Sequence, residues 1–150
     1  MADAQKTLHE KSILYQVMNV RLEEMAKQGS ALEIRMNELE AAESSLNELV
    51  KTKVGSEILL PVGAGCYAYG NLAATDKFMV EIGAGLVKKM TLGDAVNIIK
   101  DKKNEIEKVA GQLNAQANEL RQSMDQIAME IQALNTRQQN EAKGGAIRVD

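Results

Sequence analysis

The chain of 150 residues has no tryptophan, one phenylalanine, one proline, one cysteine and one histidine. So few aromatic residues leave little material for a thick layered core, and a single proline leaves long stretches free to form helices. The lone Cys66 excludes an intrachain disulfide framework and a thiolate metal cluster, as is usual for a reducing compartment. His9 has no second histidine and no nearby cysteine, which excludes the common zinc ligand sets.

An excess of positive charge and long apolar runs are absent as well. The 18 Lys and Arg residues against 21 Asp and Glu residues give a net charge of -3, so no basic field favours nucleic acid. No apolar stretch approaches the roughly 18 residues that span a bilayer. Charged residues between Asp3 and Lys11 interrupt any signal-peptide core. We expect a cytoplasmic protein that binds neither nucleic acid nor a membrane.

Two long heptad patterns flank a glycine-rich middle segment. Counting in sevens from Leu8, apolar residues occupy ten of the fourteen a and d positions of the first pattern. This pattern predicts a helix over residues 5–53. Its exceptions are Lys11, Gly29, Glu43 and Lys53.

The second pattern is more regular. Every seventh residue from Leu92 to Leu134 is Leu or Ile, and the matching a positions are apolar except at Lys103 and Gln138. This pattern predicts a helix over residues 91–142, followed by a frayed tail at 143–150. Because both helices adjoin the same middle segment, we expect a mainly α fold, a long antiparallel two-helix coiled coil with β-hairpins inserted between the helices.

The middle segment, residues 54–90, contains two similar copies of one short pattern. Each copy is an apolar run that ends in Gly-Ala-Gly, and glycine supplies the positive φ angles that tight hairpin turns need. The glycines assigned to these turns are Gly63, Gly65, Gly83 and Gly85. The runs predict strands near 56–62, 66–73, 77–83 and 85–90, and Pro61 indicates an edge or a bulge.

Two hairpins with an apolar face are not stable alone in water, so we expect them to hold subunits together in an oligomer. Phe78, Val80 and Ile82 alternate with Met79 and Glu81, which predicts one apolar face. The residues predicted to support this assembly are Ile58, Leu60, Tyr67, Tyr69, Phe78, Val80 and Ile82.

No arrangement of residues typical of catalysis is recognisable. The Gly-Ala-Gly corners lack the Lys-Ser/Thr pair of a phosphate loop and continue as strands rather than helices. Cys66 has no histidine near it in the sequence to activate it. The acidic residues are scattered along helix faces instead of being paired among apolar groups. We expect no enzyme, no bound metal and no cofactor.

Surplus apolar residues lie outside the seam of the first helix. Ile13, Leu14, Val17 and Val20 fall at f, g, c and f positions, and Met129 falls at an f position of the second helix. A local stutter that makes them core, a third helix that packs on them, and an adhesive surface for other proteins remain open. For the third interpretation, the predicted client-binding residues are Ile13, Leu14, Val17, Val20, Met129, Ile131 and Leu134.

The sequence resembles prefoldin, specifically the α-class subunit of the archaeal kind. The resemblance is carried by Gly55-Ser-Glu-Ile-Leu-Leu-Pro-Val-Gly-Ala-Gly65, by Ile82-Gly-Ala-Gly-Leu-Val-Lys-Lys89, and by Asp94-Ala95, Ile99 and Lys102-Lys103. It is specific over residues 55 to about 105, while the helical arms match in periodicity. The stretch Cys66-Tyr67-Ala68-Tyr69 departs from the family pattern.

This resemblance implies a hexamer of two α-class and four β-class subunits. It also implies ATP-independent capture of non-native proteins at the tips of the coiled-coil arms, and their delivery to a group II chaperonin. Two hairpins rather than one are the mark of the α class. The alternative is a structural protein of the same type that self-assembles through its strands into a scaffold or filament.

Overall fold

A computed structural model describes residues 2–145 of the chain, with side chains described for residues 5–140. The elements in chain order are α1 (Ala2–Lys51), β1 (Glu57–Gly63), β2 (Cys66–Asn71), β3 (Lys77–Gly83), β4 (Leu86–Thr91) and α2 (Leu92–Gly145). The expectation of a mainly α fold with two antiparallel hairpins between two long helices is confirmed. Helix α2 continues to Gly145 instead of ending at residue 142, and the rest of the expected frayed tail, residues 146–150, lies outside the described residues.

The chain forms two compact units. Within the described residues, unit 1 comprises residues 2–31 and 109–145, and unit 2 comprises residues 32–108. Unit 1 therefore contains the amino-terminal part of α1 with most of α2. Unit 2 contains the remaining helical turns and both hairpins.

In unit 1 the two helices pack antiparallel along the expected seam. Lys11 Nζ donates to Glu130 Oε2 at 2.5 Å, and a Cβ built on Gly29 would lie 3.8 Å from Leu113 Cδ2. The half-buried or buried seam positions are Leu8, Lys11, Tyr15, Met18, Leu22, Met25 and Gly29 of α1 and Ala110, Leu113, Ala117, Leu120, Met124, Ile127, Ile131, Leu134 and Gln138 of α2. These follow the three-and-four spacing of a heptad seam.

The polar exceptions of the seam in unit 2 face each other. Glu43 and Lys103 occupy a positions, and the side chain of each is 23% exposed. Lys103 Nζ lies 3.3 Å from Glu43 Oε2 and 3.8 Å from Glu40 Oε1. A half-buried cation without a partner is costly, so this pair favours the one register in which its members meet.

Each hairpin is a separate two-stranded antiparallel sheet: β1 pairs with β2, and β3 pairs with β4. At the first turn, Ala64 and Gly65 both have positive φ, 51° and 77°, which is the signature of a type I′ turn. The second turn repeats it at Ala84 and Gly85, at 49° and 74°. Positive φ at the two alanines was not predicted, because only glycine adopts that conformation without steric cost.

A register shift precedes each turn, between Pro61 and Gly63 in β1 and between Glu81 and Gly83 in β3. Such a bulge leaves one residue unpaired and increases the local twist. Ile82 occupies this position in β3 and is 47% exposed. The bulge leaves Ile82 more exposed than Phe78 and Val80, but Ile82 still lines a groove with Ile98 of α2.

Hairpin 2 (β3 and β4) lies against the beginning of α2. Lys102 Nζ donates to the carbonyl oxygen of Glu81 at 3.0 Å, and Phe78 lies opposite Met90 in the ladder. The buried side chains in the described part of the chain are Met90, Ala95, Ile99, Ala117 and Met124. Three of these five lie at the junction of hairpin 2 and α2, which is therefore the best covered part of unit 2.

Replacing Gly29 by alanine is expected to stabilise the helix pair. The new Cβ would make ordinary van der Waals contact with Leu113 at 3.8 Å, and alanine is about 1 kcal/mol more favourable than glycine in a helix interior. Thermal unfolding followed by circular dichroism should shift upward by roughly 2–4 °C. Gly111→Ala, at a helical position with no atom within 4 Å, is the matched control and should give a similar gain. A fall in melting temperature for Gly29→Ala alone would contradict the packing at this position.

Removing one member of the Glu43–Lys103 pair is expected to destabilise the chain more than removing both. Glu43→Leu leaves the half-buried Lys103 with only the more distant Glu40, at a cost of about 1–3 kcal/mol. Combining it with Lys103→Leu extends the apolar seam and should restore at least the original stability, measured by urea unfolding. The exposed pair of Glu48 and Lys51 is the control, with an expected effect of about 0.5 kcal/mol or less. A double variant as unstable as Glu43→Leu would contradict this account.

Candidate functional site

The surplus apolar residues of α1 form one exposed row of side chains in unit 1. Ile13, Leu14, Val17 and Val20 are 47%, 48%, 59% and 54% exposed. Residues three and four apart share a helix face, so the row extends along about 10 Å of α1. We call these four residues the N-terminal ridge.

A local stutter of the heptad pattern does not account for the ridge. The seam residues on both sides of it keep their regular spacing, and Leu8, Tyr15, Met18 and Leu22 are half-buried. A shift of the seam would have buried the ridge residues and exposed these. No element of the described part of the chain covers the ridge, so a helix that packed on it would have to come from outside the described residues.

Part of the ridge borders an open groove between α1 and α2. Val17 and Val20 line this groove together with Met25 and Leu113, and its volume is about 530 Å³. Its remaining lining residues are polar: Arg21, Glu24, Gln28 and Gln116. An apolar floor with a polar rim is typical of surfaces that bind other proteins.

The three predicted client-binding residues of α2 lie in two different environments. Met129 is 63% exposed, and its neighbour Glu130 forms the ion pair with Lys11, so Met129 lies at the same level of the helix pair as the ridge. Ile131 and Leu134 are half-buried in the seam, at the a and d positions that the heptad gives them. The structure therefore brings Met129, but not the other two, to the exposed surface.

The predicted assembly residues of hairpin 1 (β1 and β2) are divided between its two faces. Leu59 lies opposite Tyr69 and Leu60 opposite Ala68 in the ladder, so Leu60 and Tyr69 are on opposite faces because successive side chains alternate. Leu59, Tyr67 and Tyr69 are 58%, 61% and 77% exposed. Both faces of hairpin 1 are thus apolar and largely uncovered.

Some exposed strand residues were missed by the prediction of one apolar face. These are Leu59, Val62, Met79, Leu86 and Val87. The available signal was the continuous apolar run from Ile58 to Val62, because a strand without alternation indicates that both faces are covered in the assembled protein. In hairpin 2 the inward face carries Phe78 and Val80, which are half-buried.

The described residues contain no cluster suited to metal binding, since no three His, Cys, Asp or Glu side chains come together. Cys66 is an exposed free thiol beside the first hairpin turn. Among the helices of the described chain, none has a stretch long and apolar enough to cross a membrane. The described side chains of unit 1 and of the hairpins therefore present exposed apolar surfaces.

A model of the family described as "Prefoldin subunit" matches residues 18–137 of this chain. The chain belongs to the prefoldin family. Among similar curated proteins are prefoldin α subunits of three archaea. That of Methanosarcina barkeri is 29% identical, over 81% of this chain and 90% of the relative. That of Archaeoglobus fulgidus is 28% identical, over 92% of this chain and 98% of the relative. That of Methanosarcina mazei is 31% identical, over 77% of this chain and 84% of the relative.

Two solved structures have the same fold. The filamentous PFD of Methanocaldococcus jannaschii has a TM-score of 0.71 at 18% identity, covering 77% of this chain and 96% of that one. The prefoldin β subunit of Thermococcus strain KS-1 has a TM-score of 0.55 at 16% identity, covering 85% of this chain and 90% of that one. The resemblance to α-class archaeal prefoldin is confirmed. Three ridge residues, Ile13, Leu14 and Val17, precede the region matched by the family model, which includes only Val20 of the ridge.

Proposed function

We propose that this chain is the α-class subunit of a cytoplasmic prefoldin that captures non-native proteins without ATP and passes them to a group II chaperonin. Its client-binding surface is the N-terminal ridge together with Met129. The observation that supports this function is the exposure of four aliphatic side chains on one helix face, outside the seam that holds the helices together. A surface of this kind binds by burial of apolar area rather than by catalysis.

A single ridge binds a client weakly. Full burial of an aliphatic side chain contributes about 1.5–3 kcal/mol, and these side chains are already half-covered, so each contributes about 1 kcal/mol. The entropy lost on association offsets most of this gain. Useful affinity therefore requires several subunits to hold one client at the same time, because the second and later contacts are then intramolecular.

The hairpins provide the means of bringing several subunits together. Each hairpin has an exposed apolar surface that a partner would cover. The exposed residues are Leu59, Tyr67 and Tyr69 on hairpin 1 and Met79, Leu86 and Val87 on hairpin 2. We propose β-class subunits as partners, in the hexamer of two α and four β subunits that the family implies. Ile131 and Leu134 are assigned to the helix seam in this scheme, and Ile58, Phe78 and Val80 to the inner packing of the hairpins.

Replacing the ridge residues by serine is expected to abolish client protection without dissolving the oligomer. The variant carries Ile13→Ser, Leu14→Ser, Val17→Ser and Val20→Ser. Loss of about 1 kcal/mol of apolar contact at each position should raise the amount of chaperone needed for half-maximal suppression of client aggregation at least tenfold. Light scattering of a chemically unfolded client during dilution measures this amount, and native mass measurement verifies the oligomer.

The matched control places four serines at other outward positions of α1, where the loss of helix propensity is at least as large because alanine is the best helix former. Its substitutions are Ala26→Ser, Ala31→Ser, Ile34→Ser and Ala41→Ser, all at exposed residues. This control is expected to protect the client as well as the unaltered chain. Undiminished protection by an intact oligomer of the ridge variant would reject the ridge as the client-binding surface.

The second candidate function is a self-assembling scaffold or filament. It is favoured by the free strand edges of two separate hairpins, because an unpaired edge can add strands indefinitely as readily as it closes. One solved structure of this fold is described as filamentous. The two functions predict different assemblies in the presence of a β-class subunit: a discrete oligomer for the chaperone and long particles for the scaffold.

Native mass measurement of the chain alone and after mixing with an archaeal β-class subunit distinguishes these functions. A chaperone subunit should give one discrete mixed species of two α and four β chains. A broad series of long particles that persists in the presence of the β-class subunit would instead support the scaffold.

A further inference from the structure

An open groove in unit 2 lies between hairpin 2 and the first turns of α2. Its volume is about 660 Å³, and its lining includes Ile82 of β3, Met90 of β4 and Ile98 of α2. A second groove of about 540 Å³ shares Ile82 and Ile98 with it and continues along α2 to Lys108. Because the two grooves share these walls, they form one continuous surface, which we call the hairpin groove.

The apolar lining of the hairpin groove is aliphatic. Ile82 is 47% exposed and Met90 is buried, while Ile98 is half-buried. The residues that line the groove include no aromatic ring on which a nucleic-acid base could stack. The apolar part of a ligand in this groove would therefore be a side chain that packs on Ile82 and Ile98.

Three lysines, Lys77, Lys88 and Lys89, line the part of the groove beside hairpin 2. None of the ion pairs between described residues involves them. The carboxylate in this part is that of Asp94, which accepts a hydrogen bond from Thr91 Oγ1 at 2.9 Å. Because Thr91 Oγ1 in turn accepts from Asp94 N, this carboxylate belongs to the cap of α2. The three lysines and Asp94 give this part a net charge of +2.

The part of the groove farther along α2 has balanced charge. Its lining includes Lys102 and Lys108 together with Asp101 and Glu105. Lys102 Nζ already donates to the carbonyl oxygen of Glu81 at 3.0 Å. A ligand would therefore meet excess positive charge only beside hairpin 2.

This positive charge contrasts with the rest of the chain. Residues 77–108 contain seven lysines and five Asp or Glu residues, which leaves 11 of the 18 Lys and Arg residues and 16 of the 21 Asp and Glu residues for the remainder. The segment is thus positive by two charges in a chain that is otherwise negative by five. An acidic ligand is attracted to this segment and repelled by the remainder of the chain.

We propose that the hairpin groove binds an acidic segment of a partner protein other than the client, in which two or three Asp or Glu residues adjoin an aliphatic residue. The carboxylates contact Lys77, Lys88 and Lys89, and the aliphatic side chain covers Ile82 and Ile98. From Asp94 to Lys108 α2 rises about 21 Å, which an extended segment spans with about six residues. The charge and the apolar lining together favour such a peptide over a nucleic acid, which would need a longer basic surface.

Fluorescence anisotropy of labelled peptides with the full-length chain tests this assignment. The probes are Glu-Glu-Asp-Gly-Leu-Ile and the same residues in reverse order, because the groove does not fix the direction of the segment. At least one of them should bind, and its version with Gln and Asn in place of the acidic residues should bind about tenfold more weakly or worse. Serine in place of Leu and Ile should weaken binding about fivefold. Absence of saturable binding of both probes up to about 1 mM chain would overturn the proposal.

A pair of lysine variants locates the bound peptide. Lys88→Gln combined with Lys89→Gln should weaken binding about fivefold or more, because it removes two of the three cations at the hairpin end. The matched control is Lys53→Gln combined with Lys100→Gln, which removes the same charge at exposed lysines of unit 2 that do not line the groove. An equal loss of binding in both variants would show attraction to net charge alone and would reject the groove.

Protection of an introduced thiol provides a second readout. In a chain carrying Cys66→Ser, Asn97→Cys places a thiol in the lining of the groove, and the peptide should slow its alkylation by a maleimide. Leu59→Cys, at a 58% exposed residue of hairpin 1, is the control and should be alkylated at the same rate with and without the peptide. Equal rates at position 97 with and without saturating peptide would contradict the proposal.

Other occupants of the groove give different results. Loss of peptide binding on addition of a β-class subunit would overturn the proposal, because that subunit would then cover the groove. Displacement of the peptide by a DNA duplex at a lower concentration than by unlabelled peptide would overturn it as well.

The peptide assay is independent of client capture. The four-serine variant of the N-terminal ridge should bind the peptide as tightly as the unaltered chain, because none of the ridge residues lines the groove. Absence of peptide binding together with intact ridge-dependent client protection would reject the partner site alone and leave the proposed function standing.

Discussion

A pair of helices without a third layer can bury only one stripe of side chains on each helix, and this constraint governs both units of the chain. Even within the stripe, most seam residues are half-covered rather than buried, and the five buried side chains of the described residues include only Ala117 and Met124 from unit 1. Any apolar residue placed outside the stripe must remain in water or be covered by another molecule. The N-terminal ridge in unit 1 is such a set of residues, and the exposed faces of the hairpins in unit 2 are another.

The same constraint explains why the polar exceptions of the seam do not disrupt it. Lys11 meets Glu130, and Glu43 meets Lys103, so these three charged side chains within the stripe each have an opposite charge across from them. Gly29 lies opposite the larger Leu113. A seam with few buried positions tolerates charged pairs, because half-exposed charges keep part of their hydration. The charged pairs also restrict the register in which the helices meet.

The hairpins differ in how much the chain itself stabilises them. Hairpin 2 is joined to α2 by the hydrogen bond from Lys102 to Glu81, and the adjoining residues Met90, Ala95 and Ile99 are buried. Hairpin 1 has no such bond to a helix among the described contacts; its base is closed by its own backbone, where Gly55 N donates to the carbonyl oxygen of Leu72 at 2.7 Å. A two-stranded sheet without cover is marginal in water, so hairpin 1 depends most on a partner, in agreement with its apolar faces and lack of charge.

The sequence predicts the features that depend on local periodicity, and misses those that depend on how distant segments meet. The heptad spacing identified the seam positions and the off-seam character of Ile13 and Val17, because a helix face is determined by neighbouring turns. The pairing of Glu43 with Lys103 could not be predicted, since it depends on the register between two helices separated by the insert. The bulge in β3 was missed for a similar reason, because it depends on how the turn matches the strand pairing, whereas Pro61 indicated an edge or a bulge in β1.

The central claim is that apolar side chains excluded from the seam of unit 1 are the surface that holds clients. The most direct test places a benzophenone amino acid at Val17 and, separately, at Ile34, two outward residues of α1 that are 59% and 61% exposed. After irradiation with a chemically unfolded client, the account predicts a client adduct at Val17 and little or none at Ile34. Adducts of equal or greater yield at Ile34 would contradict it.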